Sequence, residues 1–224
     1  MYLMLPSTTI ETPDGKPVDG DAVLRFIERI ARTCYKSEDG ICEGSHLRMA
    51  KALIGKQHGA MLEFFDVVVR FVVNRGVSHE LVRMRIASYA QESTRWCNYA
   101  KKGVAFIIPP KLQPVLQEGE YSYEEPDPPQ IIGPARVWFH NLLNTEQDYL
   151  SLIERGWAAQ EARDVLPNAL KTDIVAKYNI REWRHVFRLR TAKDAHPQMQ
   201  EVMRPLLDQF KQTIPVLFDD IDYA

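Results

Sequence analysis

Apolar positions recur with two different periods along this chain, and the period changes where the element type should change. From Asp21 to Tyr35, Val23, Leu24, Phe26, Ile27, Ile30 and Ala31 repeat with helical spacing. Ser45 is a candidate cap for a second helix carrying Leu47, Ala50, Leu53 and Ile54. Glu63–Asn74 (EFFDVVVRFVVN) is β-branched and aromatic, bounded by Gly59 and Gly76, and predicts a strand. Ser78 would then cap a short helix through Ile86, and Val104–Ile108 predicts a strand stopped by Pro109-Pro110. Met1–Leu5 reads as a strand with no basic region before it, not a signal peptide.

The later half is mostly helical in pattern. Pro134–Arg155 forms a long helix ended by Gly156, and Ala158–Val165 a short one closed by Pro167. Asp173–Tyr178 predicts a strand, followed by helices over Arg181–Thr191 and His196–Thr213, the last perturbed by Pro197 and Pro205. Glu118–Gln130 (EGEYSYEEPDPPQ) predicts an exposed loop. Helices mixed with a few strands indicate an α+β fold, a mostly antiparallel sheet with a helical bundle, in one domain spanning residues 1–224.

Composition adds limits. The chain has 224 residues, 45% hydrophobic and 26% charged, which excludes general disorder, and no apolar run is long enough to cross a bilayer. With 28 basic and 30 acidic residues the charge is nearly balanced, which argues against a nucleic-acid binder. Three cysteines with no CxxC pair argue against a disulfide framework or zinc, and no histidine pair has metal-ligand spacing. A cytoplasmic location is expected. Neither GxGxxG nor GxxxxGK[ST] occurs.

Chemistry concentrates in Ser78–Tyr99 (SHELVRMRIASYAQESTRWCNY). On a helix Arg83 and Arg85 would point to different faces. Gln91, Ser93 and Arg95 follow on an extended or looped stretch, offering amide, hydroxyl and guanidinium donors suited to a phosphate, or simply forming a polar loop. Arg181, Arg184 and Arg188 share one helix face, which for Arg184 and Arg188 reads as exposed and basic. Arg163, just before a helix-closing Pro167, would need an anionic partner if buried. Trp96 reads as packing. Cys97 has no histidine near it in sequence and makes a weak nucleophile candidate.

Arg83-Met84-Arg85-Ile86-Ala87-Ser88 followed by Gln91-Glu92-Ser93-Thr94-Arg95-Trp96 resembles the signature of the flavin-dependent thymidylate synthases, RHRxxSxxxxSxRY. Further segments are similar in the same order: Ala31–Tyr35, His58–Glu63, Glu161-Ala162-Arg163 with Val165-Leu166-Pro167, and Asn179-Ile180-Arg181 with Leu189-Arg190. The resemblance implies methylation of dUMP to dTMP with FAD, NADPH and methylenetetrahydrofolate, in a homotetramer whose sites lie between subunits. It implies dUMP contacts from Glu80, Gln91, Ser93, Arg95, Arg163 and Arg190, with Arg190 acting on the uracil. It implies FAD contacts from His58, Arg83, Met84, Arg85, Asn179 and His185, and no metal. Met84 and Trp96 replace the signature's histidine and tyrosine, and Cys34 and Ala90 are further departures. Hydroxymethylation of a pyrimidine deoxynucleotide, or a non-catalytic nucleotide- or flavin-binding role, are the alternative expectations.

Overall fold

The computed structural model describes residues 1–223. Along the chain run β1 (Tyr2–Met4), β2 (Ser7–Glu11), α1 (Gly20–Thr33), α2 (Ser45–Gly55) and β3 (Asp66–Asn74). Then come α3 (Arg75–Leu81), β4 (Ser88–Gln91), α4 (Tyr99–Lys102), β5 (Ala105–Ile107) and β6 (Gly119–Glu120). The remainder is α5 (Pro134–Glu154), α6 (Ala159–Ala162), β7 (Lys171–Asn179), α7 (Ile180–Arg190) and α8 (Pro197–Thr213). The expected α+β class is the one observed. A four-stranded sheet has the order β2-β3-β7-β4, and a three-stranded sheet the order β5-β1-β6.

The chain divides into two compact units. The first holds Met1–Ser7, Phe71–Arg83 and Ala90–Val175. Its small sheet pairs β1 with β5 in parallel and with β6 antiparallel, Leu3 lying opposite Phe106 and Gly119. The β1–β5 pair is the parallel one in this small sheet, and β6 is a strand that the Pro- and Glu-rich composition of Glu118–Gln130 concealed. Helix α5 starts with Pro134 in its first turn, where a missing N–H costs nothing, and buries Phe139, Leu142, Leu143 and Tyr149. These pack with Leu3, Phe106, Ile108 and Leu170 into one apolar cluster. The Tyr149 hydroxyl accepts the Tyr99 backbone N–H at 3.2 Å, so α4 starts from a fixed point.

The second unit holds Thr8–Arg70, Met84–Tyr89 and the chain from Ala176 onward. Asp19 caps α1 by accepting the Ala22 N–H at 3.0 Å, and Val23, Leu24, Ile27 and Ala31 form its buried stripe. Gly20 is obligatory: a Cβ there would lie 1.9 Å from the Thr213 carbonyl oxygen. Helices α7 and α8 pack through Trp183, Phe187 and Phe210, with Phe218 edge-on to both phenylalanines. The Trp183 indole N–H donates to the Val67 carbonyl at 3.0 Å, fixing α7 on β3.

Two caps differ from expectation. Gly44, at φ 69°, precedes α2, so Ser45 is its first helical residue; its hydroxyl donates to the buried Glu28 carboxylate at 2.9 Å. Helix α3 is capped by Asn74, whose side chain accepts the Val77 N–H at 2.8 Å, and ends at Leu81. Ser78 lies inside it, donating to the Arg75 carbonyl at 3.0 Å.

Candidate functional site

Because α3 stops at Leu81, the signature residues Arg83–Ala87 occupy an irregular segment, and the two-faced helix expected for Arg83 and Arg85 does not form. Arg83 and Arg85 are exposed, while Met84 between them is buried. In the second unit Met84 is a junction. Its carbonyl accepts Arg85 Nη1 at 2.8 Å and the Tyr89 hydroxyl at 3.1 Å. Its thioether sulfur lies 3.7 Å from Nη2 of Arg190, in the last turn of α7. A sulfur is only a weak, uncharged acceptor, so this contact steadies the guanidinium and does not itself neutralise it. The Tyr89 and Tyr178 hydroxyls are 2.9 Å apart with edge-on rings, and burial pushes both phenols up from their ordinary range.

Of the residues the resemblance assigns to FAD, His58, Met84, Arg85, Asn179 and His185 belong to the second unit and Arg83 to the first. Asn179 is the cap of α7, its Oδ1 accepting the Glu182 N–H at 2.8 Å, so only its NH₂ group remains for another partner. His58 and His185 are exposed. His185 lines a cavity of about 410 Å³ together with Gly59, Arg181, Arg184, Arg188 and Asp220. A Cβ on Gly59 would stand 3.0 Å from Arg181 Nε, so glycine lets that side chain lie along the cavity wall. Arg181 spends one nitrogen on Glu63, at 2.5 Å, and keeps others to donate. Arg184 differs from expectation. It is buried, donating to the Leu217 carbonyl and, through Nη1 and Nη2, to both Asp220 oxygens at 2.7 Å, which makes it structural. Arg188 is exposed, as expected.

Of the residues the resemblance assigns to dUMP, Glu80, Gln91, Ser93, Arg95 and Arg163 belong to the first unit and Arg190 to the second. Gln91 ends β4, and its amide donates to the Ser78 hydroxyl at 2.9 Å and the Thr172 hydroxyl at 3.2 Å. Ser93 Oγ accepts the Arg95 backbone N–H at 3.3 Å, in a turn that brings the two donors together. Arg95 donates from Nε to Gln160 at 3.1 Å and lies 4.9 Å over the Trp96 ring. Trp96 is 77% exposed, which overturns the packing expectation and leaves a flat aromatic face beside this turn. Arg163 is exposed as well; its Nη1 meets the Thr94 hydroxyl at 3.3 Å, so it needs no buried anion. Cys97 is free and half-buried. Among the described residues no group of three or more His, Cys, Asp or Glu side chains could hold a metal ion.

Two carboxylates escaped the sequence reading. Glu92 accepts Lys171 Nζ at 3.0 Å, the Tyr99 hydroxyl at 3.0 Å and the Asp173 N–H at 3.3 Å, so it anchors the signature strand. Burial, and then the Glu92 charge, push the Tyr99 phenol far up. Glu182, in the first turn of α7, was legible only as an acid three residues after the Asn179 cap.

Residues 21–216 match the family model described as thymidylate synthase complementing protein. A relative from Corynebacterium glutamicum, named flavin-dependent thymidylate synthase, is 27% identical over 212 residues, covering 91% of this chain and 82% of that one. The UMP/dUMP methylase PolB from Streptomyces cacaoi superposes with a TM-score of 0.75 at 21% identity, over 98% of this chain and 96% of PolB. Thymidylate synthase X from Helicobacter pylori, solved with FAD and dUMP, gives 0.71 at 21% identity, over 96% and 98%. The chain has the fold of these two proteins. It belongs to the thymidylate synthase complementing protein family, the family of the flavin-dependent thymidylate synthases.

Proposed function

We propose that this protein is an FAD-dependent enzyme that methylates dUMP to dTMP, taking the one-carbon unit from methylenetetrahydrofolate and reducing power from NADPH. The observation that carries the reading is the contact between Arg190 and Met84, which joins the arginine expected at the uracil to the signature segment. The family membership and the names of the relatives support the same reaction. Ser93 and Arg95 would take the phosphate, a hydroxyl and guanidinium pair suited to its oxygens, with Glu80, Gln91 and Arg163 holding the rest of the nucleotide. Arg190 would stabilise negative charge developing on the pyrimidine carbonyl, where a pre-positioned cation is most effective.

The residues around the α7 cavity fit a flavin nucleotide. Arg181, Arg188 and His185 are cationic or hydrogen-bond donors facing one space, and Gly59 keeps that space open. His58, Arg83, Met84, Arg85, Asn179 and His185 would hold FAD, which supplies the final hydride when bound. Arg85 would neutralise anionic groups, and Asn179 would offer its remaining NH₂. The whole chain would act as one functional domain in a cytoplasmic homotetramer with sites built between subunits, without nucleic acid or membrane partners.

The test is incubation of purified protein, FAD, NADPH, methylenetetrahydrofolate and dUMP, with the nucleotide product weighed by mass spectrometry. A product one CH₂ heavier than dUMP is expected. A product heavier by a further oxygen would establish hydroxymethylation, and dUMP binding without turnover would establish an inert relative. UMP is assayed in parallel, because PolB is described as acting on both nucleotides.

A further inference from the structure

Gln91 closes β4 with part of its side chain already committed. Its Nε2 donates to the Ser78 hydroxyl at 2.9 Å and to the Thr172 hydroxyl at 3.2 Å, two acceptors for two amide hydrogens. Both hydroxyl residues are buried, Ser78 inside α3 and Thr172 on β7. The direction of the amide follows from counting protons. A hydroxyl has one hydrogen, and Ser78 spends its own on the Arg75 carbonyl at 3.0 Å, so toward Gln91 it can only accept. Gln91 therefore turns its NH₂ group to Ser78 and Thr172 and keeps Oε1 for another partner. Among the described residues nothing donates to that oxygen. The neighbouring Glu92 ties this end of β4 to the strand of Thr172. Its carboxylate accepts Lys171 Nζ and the Asp173 N–H, and its own N–H donates to the Asp173 carbonyl at 2.8 Å. All these residues belong to the first unit.

We propose that Ser78 and Thr172 are positioning residues: they hold Gln91 in one amide orientation, so that it offers a nucleotide an acceptor and selects for the sugar 3′-hydroxyl. The proposal rests on the dUMP-methylating reading, in which Gln91 touches the nucleotide. Phosphate oxygens and pyrimidine carbonyls are themselves acceptors and gain nothing from Oε1. The donors of dUMP are the 3′-hydroxyl and the ring N3–H. Ser93 and Arg95, which follow Gln91 closely in the chain, would hold the phosphate, and the 3′-hydroxyl is the donor nearer to it. A mobile glutamine could turn either end of its amide to a ligand and would discriminate little. With the NH₂ group spent on two buried hydroxyls, a bound nucleotide that lacks the 3′-hydroxyl leaves Oε1 covered and unpaired. Spacing alone marked Gln91 as an amide donor; the two hydroxyls make it an acceptor.

The test uses the full chain with FAD added and measures dissociation constants for dUMP and for 2′,3′-dideoxyuridine 5′-monophosphate, which lacks the hydroxyl. Wild type should prefer dUMP by roughly tenfold. In Ser78→Ala and in Thr172→Val that preference should fall to about twofold or less, whereas Thr172→Ser, which keeps the hydroxyl, should retain it. Gln91→Ala should lose the preference as well. A merely structural role for Ser78 and Thr172 would weaken both nucleotides alike and leave their ratio unchanged. That result overturns the proposal, and so does a wild type that binds the two equally. If Ser78→Ala does not fold, Thr172→Val against Thr172→Ser carries the same comparison. The side-chain amide protons of Gln91 are also followed by NMR in the protein without nucleotide. Their exchange with solvent should be roughly tenfold faster in Ser78→Ala or Thr172→Val than in wild type, and equal rates overturn the hold on Gln91. A wild type that binds neither nucleotide would defeat the dUMP-methylating reading and the sugar assignment with it, whereas the amide exchange would still decide the hold.

Discussion

At the scale of single residues, Arg190 carries the proposed chemistry. Its guanidinium is half-buried at the end of α7 and contacts a methionine sulfur. Arg190→Ala removes a cation whose proposed work is done in the transition state, with little apolar packing lost. The expected result is a fall in dTMP formation on the order of 10²–10³-fold, with the thermal midpoint and FAD binding near wild type. Turnover like the wild type would remove Arg190 from the reaction. Residue order alone picked out the candidates: the paired arginines around Met84 came with the family resemblance, and Gln91, Ser93 and Arg95 stood out as polar donors on one stretch. The side-chain environments could not. Arg184 looked like an exposed cation because its helical spacing matches Arg181 and Arg188, yet its partner Asp220 is 36 residues away and no periodicity reports such a contact. Trp96 looked like core because large aromatics usually are, and the structure leaves it outside.

At the scale of elements, the boundaries that mattered were set by capping. Ser78 and Asn74 are both good caps, but only Asn74 stands where β3 ends, so α3 begins four residues earlier than expected and the signature is released from the helix. The same helix placed one turn later would have carried Arg83 and Arg85 on its surface. The long helices and β-branched strands were read correctly because each has an unbroken period, whereas the two-residue β6 has none. Helix α7 is also tied to the C-terminal segment, where Asp220 receives both terminal nitrogens of Arg184. Arg184 hydrogen bonding pulls the Asp220 carboxyl below its ordinary range, against desolvation and with further help from Arg188. The folded chain thus binds this proton less tightly than the unfolded one. The stability that follows is complete above the ordinary Asp value and is lost as pH falls through the lowered native value. Asp220→Ala should cost about 1–3 kcal/mol at neutral pH by denaturant unfolding, less than a fully buried pair because Asp220 is partly exposed. The gap between wild type and variant should close under acid; a gap independent of pH would show that the ion pair is not its source.

At the scale of the whole molecule, near-neutral charge and an ordinary apolar fraction described a globular protein without saying what it does. The resemblance of several ordered motifs supplied the rest, and family membership bears that recognition out. If active sites are completed between subunits of a homotetramer, two inactive variants can help each other. Arg190→Ala mixed with Arg95→Ala, after dissociation and reassembly, should recover part of the wild-type activity. Persistently zero activity in mixed assemblies would instead place all of these groups in one subunit's site.

The most direct measurement of the central claim is the visible spectrum of the purified protein after FAD is added and the excess removed, followed by turnover of dUMP on the same sample. A retained flavin spectrum and dTMP formed with NADPH and methylenetetrahydrofolate are expected. A colourless protein would contradict that reading, because the residues proposed to hold FAD would then not retain it.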